Sequence, residues 1–316
     1  MIQPVEKLQR MFPYYGAKAN QTMVQYLNYL TSGVDFNVYI EPFAGSGSVF
    51  WMLHQSGITA NKLCCINDRS NLISNLWSVI MADDHQKKLL NKLVKSAPYS
   101  QAMHGYCIDR ISPYMKEPLT PILFNEELAF CTWYVLCTSF NSAMDGGFGY
   151  SSSCPVPSGS TNKETKKLIA YREAILNFSK KLERVQIFND DAICLLNRLC
   201  KNKDNSKTLV DIDPPYIGNT RGVENGKKAD QGWYSGYTEN KYVDLLDWLS
   251  DFDGMFFLSN YPSPVLSDYV KKNGWNYHEL DLQSSANVKN NKSRKIEAIT
   301  WNYSEQKTLF GGLEFK

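Results

Sequence analysis

The 316-residue sequence predicts an α/β protein: an open, mostly parallel sheet with helices between its strands and one long insertion. Three observations predict it. Short aliphatic and β-branched runs alternate with stretches of helical period, which is the pattern of a parallel sheet. Four of those runs stop abruptly, at Glu41, Asp68, Asp190 and Asp213. Between about residues 97 and 162 the alternation lapses, and it then resumes.

Residues 19–31 place Val24, Leu27 and Leu30 near helical spacing and predict the first helix. Val38-Tyr39-Ile40 is a short strand running into Glu41-Pro42-Phe43-Ala44-Gly45-Ser46-Gly47-Ser48, with a helix from Val49 to about His54. The strand Leu63-Cys64-Cys65-Ile66 ends at Asn67-Asp68. Leu72, Ile73, Leu76, Val79 and Ile80 make the next helix amphipathic, so the chain opens as a βαβ unit, expected right-handed and parallel. The insertion holds Pro113, Pro118, Pro121, an aromatic run around Phe130, Trp133 and Tyr134, and a loop from Asp145 to Ser153. Its aromatics suggest a small subdomain core. Alternation resumes with a basic helix at about 163–182, a strand Val185 to Phe188 before Asn189-Asp190-Asp191, and a helix of Ile193, Leu195, Leu196 and Leu199. The strand before Asp213 follows. After a polar loop at 217–236 come a helix at 238–250 and the strand Met255 to Leu258, which ends at Ser259-Asn260. A helix at 264–272, a strand at 275–282 and a final pair of strands flanking the basic segment Lys289 to Lys295 close the fold.

Composition is that of a globular protein, 43% hydrophobic and 21% charged, and the formal charge of +2 neither demands nor excludes a nucleic-acid partner. Eight cysteines show no CxxC or Cys/His metal spacing, which suits reduced thiols in a cytosolic setting. The start, Met1 to Lys7, lacks an apolar signal core, and no run approaches the ~20 apolar residues of a membrane span. The expectation is a cytoplasmic protein that needs no membrane and no metal.

Asp213-Pro214-Pro215-Tyr216 closes the apolar run Thr208-Leu209-Val210 at what should be the carboxyl end of a buried strand, where open α/β sheets bind ligands. Two prolines remove two backbone donors and leave carbonyl acceptors. A carboxylate, carbonyls and a tyrosine ring together suit a flat substrate bearing an amino group. The glycines of Glu41 to Gly47 are spaced GxG and would let the backbone approach a ligand, although an ordinary strand-to-helix turn uses the same residues. Asp68, just over 20 residues on, can grip two ribose hydroxyls or cap the next helix. No Lys-Ser/Thr follows the glycines, so a triphosphate cradle is disfavoured. An adenosine cofactor without phosphate fits better, namely S-adenosyl-L-methionine.

Taken in order, these motifs resemble the α-class of amino-methylating DNA methyltransferases, and specifically the Dam-type adenine enzymes with their phage and restriction-modification relatives. The resemblance runs from about Phe12 to Tyr303. It rests on Tyr14-Tyr15-Gly16-Ala17-Lys18, Glu41 to Gly47, Asn67-Asp68, Asp213 to Tyr216, Ser259-Asn260 and Arg294-Lys295-Ile296-Glu297-Ala298. It implies a Rossmann-like methyltransferase sheet, with residues 1–96 and 163–316 as catalytic domain and 97–162 as an inserted, mainly helical and loop target-recognition subdomain. It also implies roles. Tyr14 lies near the cofactor, and Lys18 meets the cofactor carboxylate or Asp213. Glu41 belongs to the cofactor motif, with Phe43, Gly45 and Gly47 walling the methionine moiety. Asp68 holds the ribose, and Asp190, or its neighbour Asp191, accepts from the adenine amine.

The implied chemistry is direct, in-line transfer to the exocyclic N6 of adenine in double-stranded DNA. Asp213 and the Pro214 carbonyl accept from the amine and Tyr216 stacks on a flipped base. Carbon-5 cytosine methylation needs a cysteine, usually after proline, and the chain has Cys154-Pro155 but no Pro-Cys. Cytosine N4 transfer and a DNA-binding protein that has lost catalysis remain as alternatives. A cognate restriction endonuclease is a further implied partner. For DNA, the basic helix and Lys289, Lys292, Arg294 and Lys295 can meet phosphates, or can form solvated faces. The insertion is nearly free of cations between Ala129 and Asn162, unlike Dam-type enzymes that read GATC, so GATC is not expected. Phe140, Asn141 and Tyr150 offer amide and aromatic groups instead, suited to base edges or to a gap left by a flipped base.

Overall fold

The computed structural model describes residues 8–116, 120–150, 163–178, 184–216, 237–283 and 294–304, without the side chains of Lys163, Gln283, Arg294 and Lys295. The loop at 217–236, Cys154-Pro155, Lys180, Lys181, Lys289 and Lys292 lie outside the described residues.

Strands β1 (Val38–Glu41), β2 (Leu63–Asn67), β3 (Val185–Phe188), β4 (Thr208–Ile212) and β5 (Met255–Asn260) are parallel, whereas β6 (Asn276–Gln283) and β7 (Arg294–Trp301) form an antiparallel pair. The sheet order is β3-β2-β1-β4-β5-β7-β6, with β7 also antiparallel to β5. From β1 the chain builds outward through β2 to β3, then returns to the other side of β1 with β4. The carboxyl ends of β1 and β4 are therefore neighbours at the point where strand order reverses, which is where such sheets open a crevice. Sequence suggested a strand at 275–282 plus a further pair. Instead, β6 is that strand and is itself one member of the pair.

The helices are α1 (Gln21–Thr31), α2 (Ser48–Gln55), α3 (Asn71–Met81), α4 (Lys88–Ser96), α5 (Gln101–Met115), α6 (Glu126–Thr138), α7 (Lys163–Asn177), α8 (Ala192–Cys200), α9 (Glu239–Asp251) and α10 (Pro264–Asn273). Period-2 alternation splits the strands between two apolar layers. Tyr39, Cys64, Ile66, Leu209 and Phe257 face α1 to α7, and Ile40, Cys65, Val210, Ile212, Phe256 and Leu258 face α8 to α10. The insertion's aromatic run does not form a separate core. Every residue of α6 from Leu128 to Thr138 is buried, and Phe130, Trp133 and Tyr134 join the same cluster as Leu72, Leu76 and Trp77 of α3. A helix that is apolar all round must be covered on every side, and burying each such large side chain stabilises by about 1.5–3 kcal/mol. Helix α5 also runs through Pro113; Ser112 Oγ donates to the Asp109 carbonyl at 3.2 Å, the acceptor that residue 113 would otherwise use.

Among the described residues no helix is long and apolar enough to cross a membrane.

Candidate active site

The turn after β1 is clamped between two aromatic rings. Gly45 and Gly47 have φ of 50° and 61°, a region that favours glycine. A Cβ on Gly45 would lie 2.7 Å from the Tyr14 ring, and one on Gly47 would lie 2.5 Å from Trp77. Trp77 Nε1 donates to the Gly45 carbonyl at 2.8 Å, and its ring stacks on Trp51. Asp68 fastens the turn from the β2 side: Oδ2 accepts from Gly45 N at 2.9 Å and Oδ1 from Ser70 N at 2.8 Å. Burial pushes the Asp68 carboxyl up to about 6, against the pull of those two N–H donors. Ser70, not Asp68, is the N-cap of α3.

Asn67 ties three strand ends together. Its Nδ2 donates to the Pro42 and Asp190 carbonyls at 2.8 and 3.1 Å, and its Oδ1 accepts from Asp190 N at 2.9 Å. The two candidate aspartates after β3 are differently employed. Asp191 caps α8 through Ile193 N, while Asp190 Oδ2 pairs with Arg198 at 2.8 Å on the half-exposed rim. Phe43 is half-buried, 5.9 Å from the Tyr237 ring.

Beneath the turn, Tyr39, Glu41 and Asp211 form a buried cluster: the Tyr39 hydroxyl is 2.7 Å from Glu41 Oε2 and 3.0 Å from Asp211 Oδ2. Phe50 N donates to the same Glu41 oxygen at 3.1 Å.

At the end of β4 the tetrapeptide meets a buried lysine. Lys18 Nζ lies 2.8 Å from Asp213 Oδ1 and 3.3 Å from Glu297 Oε2, and it also donates to the Tyr216 hydroxyl. The Tyr216 hydroxyl reaches Glu297 Oε2 at 3.4 Å, and its ring stands 4.3 Å from that of Tyr261. Burial alone would lower the Lys18 ammonium. The facing Asp213 carboxylate, with Tyr216 and Glu297, reverses this and holds it well above its ordinary value. The site is thus a nearly dry cation between two carboxylates, with two tyrosine rings alongside. Ser259 and Asn260, expected after β5, are instead its last two residues, and both are buried.

The loop after α6 is rigid at its base and open at its tip. Ser139 pairs with Phe148 across a short antiparallel bridge, Gly149 N donates to the Thr138 carbonyl at 2.8 Å, and Tyr99 donates to the Gly149 carbonyl at 2.5 Å. His104 contacts Thr138 Oγ1 at 2.8 Å and the Gly146 carbonyl at 3.2 Å. At the tip, Asn141 and Ser142 hold φ of 55° and 57°, and Phe140 and Tyr150 are 69% and 79% exposed. Lys167 of the basic helix points back into this loop, donating to Ser142 Oγ at 2.8 Å, and Arg172 donates to the Ala97 carbonyl. Lys167 therefore supports the loop and Arg172 braces the end of α4, so both cations turn inward.

The structure brings Tyr14, Lys18, Glu41, Gly45, Gly47, Asp68, Asp213 and Tyr216 to one edge of the sheet, with Pro214 and Pro215 in the turn. Asp190 lies on its rim, and Phe140, Asn141 and Tyr150 lie on the loop. Arg294 and Lys295 begin β7. Sequence reading passed over Tyr39, Trp77, Asp211 and Tyr261 and gave Glu297 no role of its own. A polar residue inside an apolar run, as in Leu209-Val210-Asp211-Ile212, was the available signal for Asp211.

Comparison with known proteins agrees with this geometry. A family model described as D12 class N6 adenine-specific DNA methyltransferase matches residues 14–286, from Tyr14 through the tetrapeptide. The chain is also 26% identical over 145 residues, 44% of its length, to modification methylase StsI of Streptococcus sanguinis. That match spans only 22% of the longer relative. With the family model covering most of the sequence and its motifs gathered on one crevice, the chain belongs to the D12 class N6 adenine-specific DNA methyltransferase family.

Proposed function

We propose that this chain transfers a methyl group from S-adenosyl-L-methionine to the exocyclic N6 of adenine in double-stranded DNA, after the base has left the helix. The observation carrying this reading is the buried Lys18–Asp213–Tyr216–Glu297 constellation, which adjoins a carboxylate-lined glycine turn at the reversal of strand order.

The donor set of the turn fits this cofactor. Three of the turn's amides are already used: Gly45 N on Asp68, Gly47 N on the Ala44 carbonyl at 2.6 Å, and Phe50 N on Glu41. The charged side chains at the turn, Glu41 and Asp68, are acceptors, and acceptors suit hydroxyls and cations. Asp68 would take the ribose hydroxyls and Asp190 the adenine amine, with Asp191 occupied as a helix cap. Glu41, Tyr14 and Phe43 would line the methionine end. When bound, the cofactor supplies an electrophilic sulfonium methyl.

The chain's own residues supply placement and electrostatics. The lone pair of an aromatic amine is delocalised into its ring, so nitrogen must be oriented before it can attack. Asp213 and the Pro214 carbonyl would each accept one amino hydrogen, which aims the nitrogen and offsets the positive charge that develops on it. Lys18 fixes the Asp213 carboxylate, and Glu297 and Lys18 together fix the Tyr216 hydroxyl. The Tyr216 ring is thereby held as a stacking surface, which offsets part of the few kcal/mol that extruding a base costs. Residues 97–162 would act as the target-recognition unit, reading DNA with Phe140, Asn141 and Tyr150, while Lys292, Arg294 and Lys295 meet phosphates. The relative's name as a modification methylase supports a cognate restriction endonuclease as a partner.

Incubation with methyl-labelled cofactor and mixed-sequence duplex, followed by nucleoside separation, tests the reading. Label should appear in N6-methyladenine. Label in N4-methylcytosine, or DNA binding without transfer, would replace it.

A further inference from the structure

Three buried side chains on two adjacent strands compete for one hydroxyl proton. Tyr39 and Glu41 share a face of β1, Asp211 occupies the matching face of β4, and their exposures are 0%, 4% and 1%. The Tyr39 hydroxyl is 2.7 Å from Glu41 Oε2 and 3.0 Å from Asp211 Oδ2, yet it can donate only once. If both carboxyls were ionised, one would face the hydroxyl lone pair with no proton between, and two like charges would sit in an apolar layer. One further proton satisfies every contact. A neutral Asp211 donates to the Tyr39 oxygen, and Tyr39 donates to Glu41.

The hydrogen-bond geometry says which carboxyl takes that proton. Glu41 Oε2 also accepts from Phe50 N, in the first turn of α2, where a helix amino end favours negative charge. Asp211 Oδ1 is fully buried with no partner, a position far less costly for a neutral acid than for a carboxylate. Glu41 makes its contacts through Oε2 alone, so Oε1 has no partner among the described residues. The other ionisable groups facing the cluster are Asp213 and Lys18 at the strand end and Cys64 on β2.

We propose that Asp211 and Tyr39 are positioning residues: Asp211 stands as a neutral carboxylic acid whose hydrogen bond through Tyr39 fixes Glu41 as the charged carboxylate of the glycine turn, with Oε1 presented to a cationic group such as the methyl donor's ammonium. The cationic ligand rests on the cofactor reading above. Burial, then the nearby Asp213 carboxylate, pushes Asp211 up to about 8, and burial and Asp211 push Glu41 upward as well. A pair holding one proton is consistent with both.

Two measurements on the whole protein separate the proton from the ligand. Infrared difference spectra at pH 7 should show a protonated-carboxyl stretch that Asp211→Asn removes. Asp211 alone then gives the folded protein one more bound proton than the unfolded chain between about pH 4 and pH 8, which contributes a roughly tenfold rise in the unfolding equilibrium per pH unit across that window. Asp211→Asn should flatten this slope by one proton. Absence of the band together with parallel pH curves would overturn the neutral acid. For the positioning role, Asp211→Leu should weaken cofactor binding roughly tenfold. Asp211→Asn should rescue it, because its amide N–H donates to the same hydroxyl. If the band and slope are present but Asp211→Leu and Glu41→Gln bind cofactor as the parent does, the neutral acid stands and the positioning role is overturned.

Discussion

Replacing Lys18 with methionine deletes one charge while keeping most of the side-chain volume, so it isolates the electrostatic core of the site. The ammonium is 2.8 Å from Asp213 and 3.3 Å from Glu297, with the lysine side chain 4% exposed. Removing one partner of a buried ion pair costs about 3–5 kcal/mol, because the surviving charge is left unpaired. Glu297 is 6% exposed but Asp213 is 24% exposed and can still recruit water. The lower end, about 3 kcal/mol, is therefore expected. At roughly 2–3 °C per kcal/mol for a chain of this size, the melting temperature should fall by about 6–9 °C. The pH dependence follows from the raised Lys18 value. A base held above its unfolded value contributes fully below about pH 10 and loses that contribution only as pH rises through the folded value. The parent's share from Lys18 should thus be constant from pH 5 to 8. The variant's deficit should narrow toward pH 5, as the stranded carboxyls take up protons. Urea unfolding at pH 5 and pH 8, with Lys18→Arg as a charge-retaining control, reads both effects. A deficit below about 1 kcal/mol that is equal at the two pH values would refute the reasoning.

Two further outcomes follow from the turn. Gly47→Ala should destabilise by about 2–4 kcal/mol, since left-handed backbone strain and the contact with Trp77 add. Gly57→Ala, with φ of 82° but nothing within 4 Å, should cost only the strain, about 1–2 kcal/mol, and equal losses in urea unfolding would remove Trp77 from the account. On the proposed reading the ionised Asp68 carboxylate accepts from the ribose hydroxyls, so cofactor affinity should fall as pH drops through about 6. Asp68→Asn should bind roughly tenfold more weakly and lack that dependence; titration calorimetry at pH 5 and 8 with parallel behaviour would contradict the assignment.

The strand ends were legible because their chemistry is local. A β-branched run followed by Glu41, Asn67-Asp68 or Asp213-Pro214 announces a carboxyl edge wherever the strands later sit, and all of these reach the same edge. What escaped the sequence depends on which strands become neighbours. Glu297 reaches Lys18 because β7 inserts between β5 and β6, an arrangement no spacing encodes. Tyr39 and Asp211 are 172 residues apart and meet only because β4 pairs with β1. Nothing in the sequence marks Trp77 apart from its place in α3, yet its ring would meet any Cβ on Gly47. The insertion's aromatics were readable as buried, but periodicity cannot say against what, and α3 claimed them. Lys167 illustrates the converse: a basic helix suggests an outer face, but the fold turns this ammonium inward onto Ser142.

The central claim is that Asp213 orients the amine that receives the methyl group. It is tested most directly by single-turnover transfer with Asp213→Ala, run beside equilibrium binding of the cofactor. Transfer should fall by at least about 10²–10³-fold while cofactor binding is retained, because the proposed contact of Asp213 is with the amine and not with the turn. Transfer at the parent rate would contradict it, and would place the acceptor of the amino hydrogens elsewhere in the crevice.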